Sequence, residues 1–518
     1  MTEVLQPGGL RMGRLVTDAL EGWKRLSPDE PAIVFDGHDV VTFKEVDEWT
    51  DNAAHVVKKL GISKGDRVGI LGNNSLEWIV AGIGALKAGA VVVPLNERFV
   101  ADELAYMVQS TEASIILHDE PSRKEAEGTA TILGTRLSSL EGFASLRPSV
   151  YGHTPFEQPT IDSGSPAFLI FTSGTSAMPK AAIYTHDNVM SMMLENGIFN
   201  PILRPGARWI YVLGMSGAAG LPWNVLQSLN RGCVLYYETG FDPQVTLRRL
   251  AEEKIANFSG VPLLYEAMMN QPDFETADLS ALKFATIAGA RCSPKVLKAW
   301  NDKGVQLRQA YGMTEVIGFS TINSAAGAMA KPESCGRGYV FSKHRVVSAE
   351  GRDCAPGELG EILVQSPAMA SGYWNNEEAT QQSFRNGWFH TGDLGMLDES
   401  GDLQIVDRLK DLIISGGYNI APAELENAIA SVEGVEEVCV IAVPDEKFGE
   451  SPAAIVYGSP ELSPERIAQE IQGKLARYKL PKHITVASDP LPRMASGKIA
   501  RRNIREHFGP EVEAGTPS

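Results

Sequence analysis

The stretch FLIFTSGTSAMPKAAIYTH, residues 168–186, is the most informative part of the sequence. An apolar run typical of a buried strand leads directly into a turn that is rich in hydroxyl groups and contains a glycine. Hydroxyls and backbone N–H groups in such a turn suit phosphate oxygens, and a lysine adds positive charge. The spacing is not that of a Walker A loop. By itself the segment is either an ordinary turn or a phosphate-binding loop, and in the second case the predicted phosphate-binding residues are Thr172, Ser173, Gly174, Thr175 and Lys180.

Helix and strand patterns alternate on both sides of this stretch. Thr42 and Glu45 form a capping-box pattern that predicts the start of a helix. Short apolar strands between such helices indicate parallel-rich sheets covered by helices, an α/β fold. The expected strands include Val68–Leu71, Ala90–Val93, Ser114–Leu117, Ala167–Phe171 and Phe284–Ala288, and the expected helices include Leu76–Lys87, Ala101–Gln109 and Gln244–Lys254.

The pattern changes after Arg408, and a boundary is expected near Asp407–Asp411. We therefore predict a large N-terminal domain, residues 1–408, and a small α+β C-terminal domain, residues 409–518. The small domain is expected to contain the helices Ala423–Ser431 and Pro464–Leu475 and the strands Glu437–Val443, Ala453–Tyr457 and His483–Ala487.

Composition excludes several classes of function. The 518-residue chain has a net charge of −17 and therefore no basic footprint for general binding of nucleic acid or anionic lipid. Five widely spaced cysteines and the absence of a signal pattern favour the cytoplasm. The apolar stretch Trp78–Leu95 is interrupted by Lys87 and Gly89, so it is expected to form a buried helix, a turn and a strand rather than a membrane span.

Four further motifs accompany the phosphate turn. They are YGMTE at 311–315, preceded by AGA at 288–290; WFHTGDLG at 388–395; DLIISGGYNIAPAELE at 411–426; and LPRMASGKIARR at 491–502. Five motifs in this order resemble the adenylate-forming superfamily, which contains acyl-CoA synthetases, nonribosomal adenylation domains and firefly luciferase. The resemblance extends from about Phe43 to Arg502 and favours the acid:CoA ligase branch.

The resemblance implies a reaction in two steps that uses ATP, Mg²⁺ and coenzyme A. A carboxylate attacks the α-phosphate of ATP and releases pyrophosphate, and the CoA thiol then displaces AMP from the acyl-adenylate. Such chemistry depends on positioning and charge neutralisation more than on covalent help from the protein. The resemblance also implies that a hinge joins the small domain to the large one, and that the small domain changes its orientation between the two steps.

The resemblance also implies a role for individual residues in binding the nucleotide. Glu315 is similar to the magnesium ligand, and Thr314 to the hydroxyl near the α-phosphate. The adenine is expected beside Tyr311 and Gly312, with backbone from Gly289, Ala290 and Arg291 on its other side. Asp393 and Arg408 are similar to the residues that bind the ribose.

The remaining assignments by resemblance concern the second half-reaction and the catalytic lysine. Lys498 is similar to the lysine that bridges the attacking carboxylate and the α-phosphate, and with Thr175, Lys180 and Glu315 it completes the expected catalytic set. Lys410 matches the hinge, and Gly416 and Gly417 match backbone that lines the pantetheine tunnel. The cations expected to meet CoA phosphates are Arg98, Lys479 and Lys482.

The acyl pocket is expected to involve 195–199, 211–221 and 312–320. Many relatives carry bulkier side chains where this chain has Gly214 and Gly217, which predicts an enlarged apolar pocket for an aryl, alicyclic, steroid-like or fatty acid. The alternative is a flexible glycine loop whose gap is filled by other bulk. The expected substrate-lining residues are Asn196, Gly214, Met215, Gly217, Gly220, Gly312 and Met313.

Other functions remain open at this level. The acyl group could pass to a carrier protein or an amine instead of CoA, the chain could be a luciferase-like oxygenase, or it could bind nucleotide without catalysis. The partners expected are small molecules only: a carboxylic acid, ATP and CoA. A homodimer is also left open.

Overall fold

The computed structural model describes residues 14–172, 178–290, 292–415, 418–445, 447–472, 474–494 and 499–513. The chain forms two compact units. The first contains Met1–Pro332, Gly336–Lys343 and Val364–Phe389, and the second contains Glu333–Cys335, His344–Leu363 and His390–Ser518. The boundary expected between residues 408 and 409 stays a prediction.

The strands, in chain order, are β1 Pro31–Phe35, β2 Asp39–Thr42, β3 Arg67–Leu71, β4 Val91–Leu95, β5 Ala113–His118, β6 Arg136–Ser139, β7 Pro166–Thr172, β8 Lys180–Thr185, β9 Arg208–Tyr211, β10 Val234–Tyr237, β11 Asn257–Gly260, β12 Phe284–Ile287, β13 Leu307–Met313, β14 Gly318–Ile322, β15 Lys343–Val347, β16 Gly360–Gln365, β17 Phe384–Arg385, β18 Trp388–Leu397, β19 Leu403–Arg408, β20 Ile413–Ser415, β21 Tyr418–Ile420, β22 Val435–Asp445, β23 Gly449–Gly458 and β24 His483–Val486.

The α-helices are α1 Asp18–Leu26, α2 Phe43–Lys59, α3 Leu76–Lys87, α4 Ala101–Thr111, α5 Arg123–Leu133, α6 Pro148–Tyr151, α7 His186–Phe199, α8 Leu226–Asn230, α9 Pro243–Glu252, α10 Pro262–Met269, α11 Pro294–Asp302, α12 Ala325–Ala330, α13 Glu377–Ser383, α14 Pro422–Ala430, α15 Pro464–Ile471 and α16 Arg501–Glu513.

Two parallel-rich sheets form the centre of the first unit, which confirms the predicted α/β class. The six-stranded sheet has the order β6-β5-β3-β4-β7-β8, and the eight-stranded sheet has the order β14-β13-β12-β11-β9-β10-β1-β2. Because β12 and β13 run parallel as neighbours, the segments that follow them emerge at the same edge. The strand β8 returns antiparallel to β7, so the predicted phosphate turn closes a hairpin.

Local sequence signals place the first helices accurately. The Thr42 side chain accepts a hydrogen bond from the Glu45 backbone N–H at 3.2 Å, and the Glu45 carboxylate reaches back to Thr42, which is the predicted capping box. The apolar stretch at 78–95 forms most of α3 and then β4, as expected. Among the described residues, no helix has both the length and the apolar character needed to cross a membrane.

A buried ion cluster joins α2 to α3. Lys87 is only 1% exposed, and its Nζ lies 2.7 Å from Asp47 Oδ1 and 2.8 Å from Asp51 Oδ1. Burial opposes ionisation of Asp47, but Lys87 and, to a smaller extent, Lys24 together outweigh it and hold the pKa of that carboxyl below its usual value. The stabilisation is therefore present above the ordinary pKa of an aspartate and is lost as the pH falls through the lowered value.

We expect Lys87→Met to lower the free energy of unfolding of the first unit by about 3–5 kcal/mol, because it leaves two buried carboxylates without their main cation. The measurement is chemical unfolding at pH 7 followed by circular dichroism. The matched control is Lys24→Met, which removes a partly exposed cation 3.1 Å from the same Asp47 and should cost about 1 kcal/mol or less. Equal losses in the two variants would contradict a dominant role for Lys87.

The C-terminal part of the second unit has the predicted α+β character. Its sheet has the order β21-β20-β23-β22, with β24 parallel to β23, and α14 and α15 pack on it. The expected helix from Pro464 to Leu475 was too long, because α15 ends at Ile471 and Gln472 is extended with φ −63° and ψ 123°. The segment at 121–163 supplies α5, α6 and the edge strand β6.

Candidate active site

The phosphate turn is anchored by a strand pair in the first unit. Thr172 is buried at the end of β7 and pairs in register with Lys180, the first residue of β8. The hairpin therefore brings two of the predicted phosphate-binding residues side by side. The other three, Ser173, Gly174 and Thr175, lie outside the described residues.

A tyrosine that the sequence analysis did not single out lies between two predicted catalytic residues. The segment 371–374 runs alongside β8, with Trp374 N–H donating to the Ala181 carbonyl at 2.8 Å and Ile183 N–H donating to the Gly372 carbonyl at 2.9 Å. Tyr373 thereby places its ring under Lys180, whose Nζ is 5.2 Å from the ring centroid.

The same tyrosine also bonds the predicted magnesium ligand. Its hydroxyl donates to Glu315 Oε1 at 2.8 Å. Burial raises the pKa of the Tyr373 hydroxyl, and the nearby Glu315 carboxylate raises it further, so the group remains a donor. Lys180, Tyr373 and Glu315 therefore form one continuous set of contacts within the first unit.

Backbone contacts hold the turn that carries Glu315. Residues Thr314–Val316 form a single 3₁₀ turn after β13. Tyr184, on β8, donates its hydroxyl to the Thr314 carbonyl at 2.5 Å, and Ala370 N–H donates to the Glu315 carbonyl at 2.8 Å. The turn ends at Ile317, a buried β-branched residue with φ +50°, a conformation that costs energy for such a side chain.

The residues predicted to enclose adenine follow two neighbouring parallel strands. Gly289 and Ala290 are exposed just beyond the end of β12, and Tyr311 lies in β13 with its ring largely buried. Gly289 has φ +84°, which favours glycine. The structure thus places these residues at one sheet edge. Arg291 lies outside the described residues.

Two apolar clusters of the first unit link the three segments predicted for the acyl pocket. Tyr211, Met215 and Ile317 belong to one cluster, Phe199 packs against the other, and Phe319 packs against both. The Phe319 ring meets Trp223 edge-on with centroids 4.4 Å apart. Trp223 belongs to a π-helical segment, Ala219–Val225, that the sequence did not predict.

The glycines of this pocket fall into two groups. A Cβ added at Gly217 would meet no described atom within 4 Å, and one at Gly214 would lie 3.8 Å from Glu97 Oε1. By contrast, a Cβ at Gly220 would lie 2.5 Å from the Met215 carbonyl oxygen, and one at Gly312 only 1.8 Å from the Gly318 carbonyl oxygen. Gly214 and Gly217 therefore have room beside them, whereas close packing requires glycine at 220 and 312.

The three other predicted lining residues differ in burial and in contacts. Asn196 is buried on α7 and donates its amide to Gln227 Oε1 at 2.8 Å. Met215 is buried in the apolar cluster, and Met313 is partly exposed at the end of β13. Gln227 and Glu97 were missed, because their distance along the chain from the predicted segments gave no signal.

The two predicted ribose-binding residues are neighbours in the second unit. Asp393 on β18 pairs in register with Arg408 on β19, and Asp393 Oδ1 lies 2.7 Å from Arg408 Nε. The Asp393 side chain is buried, and its backbone N–H donates to Thr391 Oγ1 at 3.0 Å. The antiparallel register therefore places the Asp393 carboxylate and the Arg408 guanidinium side by side as an ion pair.

The expected hinge lies just beyond this pair. Lys410 is exposed in the 3₁₀ turn Leu409–Asp411, and burial together with the nearby cations Arg408 and Arg505 lowers its pKa. Asp407, three residues earlier, accepts the Ala423 N–H at 2.8 Å and so binds the first turn of α14. The pantetheine residues Gly416 and Gly417 lie outside the described residues.

Lys498 also lies outside the described residues, but the segments on either side of it are anchored. Arg493 forms an isolated antiparallel bridge with Ile499. Arg501, at the start of α16, lies 2.8 Å from Glu426. Burial acts to lower the pKa of Arg501, and Glu426 outweighs this and raises it.

The predicted CoA-phosphate cations have carboxylate partners within their own units. Arg98 lies 3.6 Å from Glu97, Lys479 lies 2.7 Å from Glu424, and Lys482 pairs with Asp445. A CoA phosphate would therefore have to compete with these carboxylates.

Comparison with known proteins identifies the family. The family model named AMP-binding enzyme matches residues 20–374 of the sequence. The family model named AMP-binding enzyme C-terminal domain matches residues 424–498. The chain belongs to the AMP-binding enzyme family. This AMP-binding enzyme is 34% identical over 498 residues to the long-chain-fatty-acid–CoA ligase FadD13 of Mycobacterium tuberculosis, covering 94% of this chain and 97% of that protein.

Two further comparisons extend this result. The chain is 32% identical over 489 residues to the feruloyl-CoA synthase of Amycolatopsis sp, covering 94% of this chain and 97% of that protein. It also superposes on the crystal structure of ATP-bound MatB from Rhodopseudomonas palustris with a TM-score of 0.86 at 28% identity, covering 95% of this chain and 99% of that chain. These matches confirm the resemblance to the adenylate-forming superfamily, the enzyme class of AMP-forming acid:CoA ligase, and the use of ATP, Mg²⁺ and CoA.

The geometry is compatible with a magnesium ion bound jointly by the protein and the substrate. Glu315 offers the hard carboxylate oxygen that Mg²⁺ prefers, and this ion commonly takes few protein ligands together with substrate phosphates. Within the part of the chain that the structure describes, no group of three or more His, Cys, Asp or Glu residues forms a metal site. Glu315 is thus the candidate ligand, and the ion would neutralise phosphate charge.

Proposed function

We propose that this enzyme activates a bulky apolar carboxylic acid, aryl, alicyclic, steroid-like or fatty, and transfers it to CoA. The observation that supports this proposal most is the space beside Gly217, where no described atom lies within 4 Å of an added Cβ. Met215 and Trp223 belong to the same apolar cluster, and Phe319 packs against it. The names of the relatives, which specify long-chain fatty acids and ferulate, agree with an acid of this kind.

The proposed roles follow from the charge that develops on phosphate. The Thr172 hydroxyl and the Lys180 ammonium would bind the phosphates of ATP, and Thr314 would offer its hydroxyl near the α-phosphate. Lys498 would neutralise the charge shared by the attacking carboxylate and the α-phosphate in the transition state. Asp393 would accept hydrogen bonds from the ribose hydroxyls, and Arg408 would bond the same ribose.

The test of the proposed function is pyrophosphate release with Mg·ATP against a panel of acids, each with and without CoA. The panel contains short and long fatty, benzoic, phenylpropanoid, cyclohexyl and steroid side-chain acids. We expect one bulky class to give a CoA thioester together with AMP. A preference for short fatty acids would contradict the proposed substrate class, and a lack of pyrophosphate release with every acid in the panel would contradict the function.

Transfer to a carrier protein or an amine is the second candidate for the acceptor. It would appear in the same assay as pyrophosphate release without a thioester.

The hinge at Lys410, a cytoplasmic location and a homodimer also stay predictions.

We expect Gly217→Phe to lower kcat/KM for large acids about tenfold or more relative to short acids, because the ring would occupy the space now beside Gly217. The measurement is a comparison of kcat/KM for two acids, one large and one short, that the wild-type enzyme uses. The matched control is Gly142→Phe in the exposed 3₁₀ segment Glu141–Leu146 of the same unit, where an added Cβ also meets no described atom within 4 Å and φ is not positive. If the Gly217 variant had the same ratio of kcat/KM for the large acid to kcat/KM for the short acid as the wild type, the placement of Gly217 in the acyl pocket would be contradicted.

A further inference from the structure

We propose that Tyr373 is a positioning residue that connects the phosphate-binding lysine to the magnesium-binding carboxylate. Its hydroxyl donates to Glu315 Oε1 at 2.8 Å, and its ring lies 5.2 Å from Lys180 Nζ. Tyr373 is 58 residues from Glu315 and belongs to none of the motifs described from the sequence. The inference rests on the proposed role of Glu315 as the magnesium ligand.

The hydroxyl restricts the carboxylate. A carboxylate rotates about its last side-chain bond unless a donor fixes one oxygen, and a hydrogen bond to a charged group is among the stronger ones. The Glu315 backbone is already held, because its carbonyl accepts the Ala370 N–H at 2.8 Å. The Tyr373 hydroxyl therefore adds orientation to a side chain whose backbone is fixed, and so prepares it for the ion before the ion binds.

The ring acts on the lysine independently of the hydroxyl. An ammonium over the face of a tyrosine ring is attracted by the ring quadrupole. Lys180 is flexible beyond its Cβ, so this contact directs its Nζ toward one side of β8. Tyr373 itself is fixed, because the hydrogen bonds of 371–374 to β8 hold its backbone, and its N–H donates to Thr380 Oγ1 at 2.9 Å.

The two contacts predict separable effects. Tyr373→Phe keeps the ring and removes the hydroxyl, so we expect the affinity for Mg·ATP to fall about tenfold while the affinity for ATP in EDTA stays unchanged. Tyr373→Leu also removes the ring, so the affinity for ATP in EDTA should fall about threefold as well. Both affinities are measured by titration calorimetry, which needs neither the acid nor CoA.

The matched control is Tyr265→Phe. Tyr265 is buried in the same unit, and its hydroxyl donates to the Thr286 carbonyl at 2.9 Å and to the Phe258 carbonyl at 3.2 Å. This variant loses a buried hydroxyl away from Glu315, so both ATP affinities should remain as in the wild type. Thermal unfolding midpoints of all variants establish that each is folded.

A double-mutant cycle with Glu315→Gln distinguishes positioning from general disturbance. If the hydroxyl acts through the carboxylate, Tyr373→Phe should change Mg·ATP affinity by less than twofold in the Glu315→Gln background. Equal effects in both backgrounds, or a Tyr373→Phe variant that behaves like Tyr265→Phe, would overturn the role of the hydroxyl. Equal affinity of the Phe and Leu variants for ATP in EDTA would overturn the role of the ring. Because the titrations need no turnover, the two ATP affinities can be measured even if the enzyme releases no pyrophosphate with any acid in the panel.

Discussion

Lys498→Ala is expected to slow formation of the acyl-adenylate about a thousandfold, because it removes the cation proposed to stabilise charge between the carboxylate and the α-phosphate. The same change should leave thioester formation from a supplied acyl-adenylate within about threefold of the wild type, since that step no longer involves the triphosphate. The measurements are pyrophosphate release without CoA for the first step, and thioester yield from synthetic adenylate and CoA for the second.

The matched control for Lys498 is Arg502→Ala. Arg502 is a basic residue of the same motif, and it is largely exposed and pairs with Glu506 at 2.8 Å. Removal of such a surface pair costs about 1 kcal/mol or less, so both steps should proceed nearly as in the wild type. If Lys498→Ala damaged both steps equally, the proposed division of labour would be refuted.

Asp393→Asn is expected to raise the KM for ATP about 100-fold, because the amide replaces a charged acceptor of two ribose hydroxyls with a neutral group that has one acceptor oxygen. The sharper measurement uses 2′,3′-dideoxy-ATP. The wild type should use this analogue about 100-fold less well than ATP, whereas the variant, which keeps only Arg408 as a proposed ribose contact, should prefer ATP by about tenfold or less.

The control for Asp393 is Asp402→Asn. Asp402 lies between β18 and β19, is also buried, and accepts the Ser400 hydroxyl at 2.8 Å. Asp402 is buried like Asp393 and follows the same strand, β18, but it is not predicted to contact nucleotide. The preference for ATP over the dideoxy analogue should therefore persist in this variant. A wild-type enzyme that used both nucleotides equally would contradict the ribose assignment.

Features that depend on neighbours along the chain could be predicted from the sequence. The capping box at Thr42 and Glu45 and the exact span of α3 follow from local hydrogen bonds and apolar spacing. The pairing of Asp393 with Arg408 was not predicted, although the two strands that carry it are joined by a short turn. The resemblance supplied the roles of these residues, because no local rule assigns a carboxylate to a ribose.

Features that depend on distant segments could not be predicted in this way. Tyr373 reaches Glu315 only because 371–374 adds to the edge of β8, and sheet edges are filled by contacts that sequence spacing does not encode. The contact between Asn196 and Gln227 joins two helices whose packing depends on the whole core. The roles proposed for Thr175, Arg291, Gly416, Gly417 and Lys498 rest on the resemblance alone.

The two groups of glycines in the predicted acyl pocket differ in whether they can be redesigned. Gly220 and Gly312 cannot gain a side chain without displacing backbone, so libraries that vary them would mostly yield misfolded protein. Gly217 and Gly214 have open space beside them. Substitutions of increasing size at these positions, from alanine to phenylalanine, should therefore lower the maximum size of the accepted acid step by step. If Gly214 and Gly217 line the acyl pocket as proposed, natural variants of this sequence have two positions at which the substrate range can change without loss of the fold.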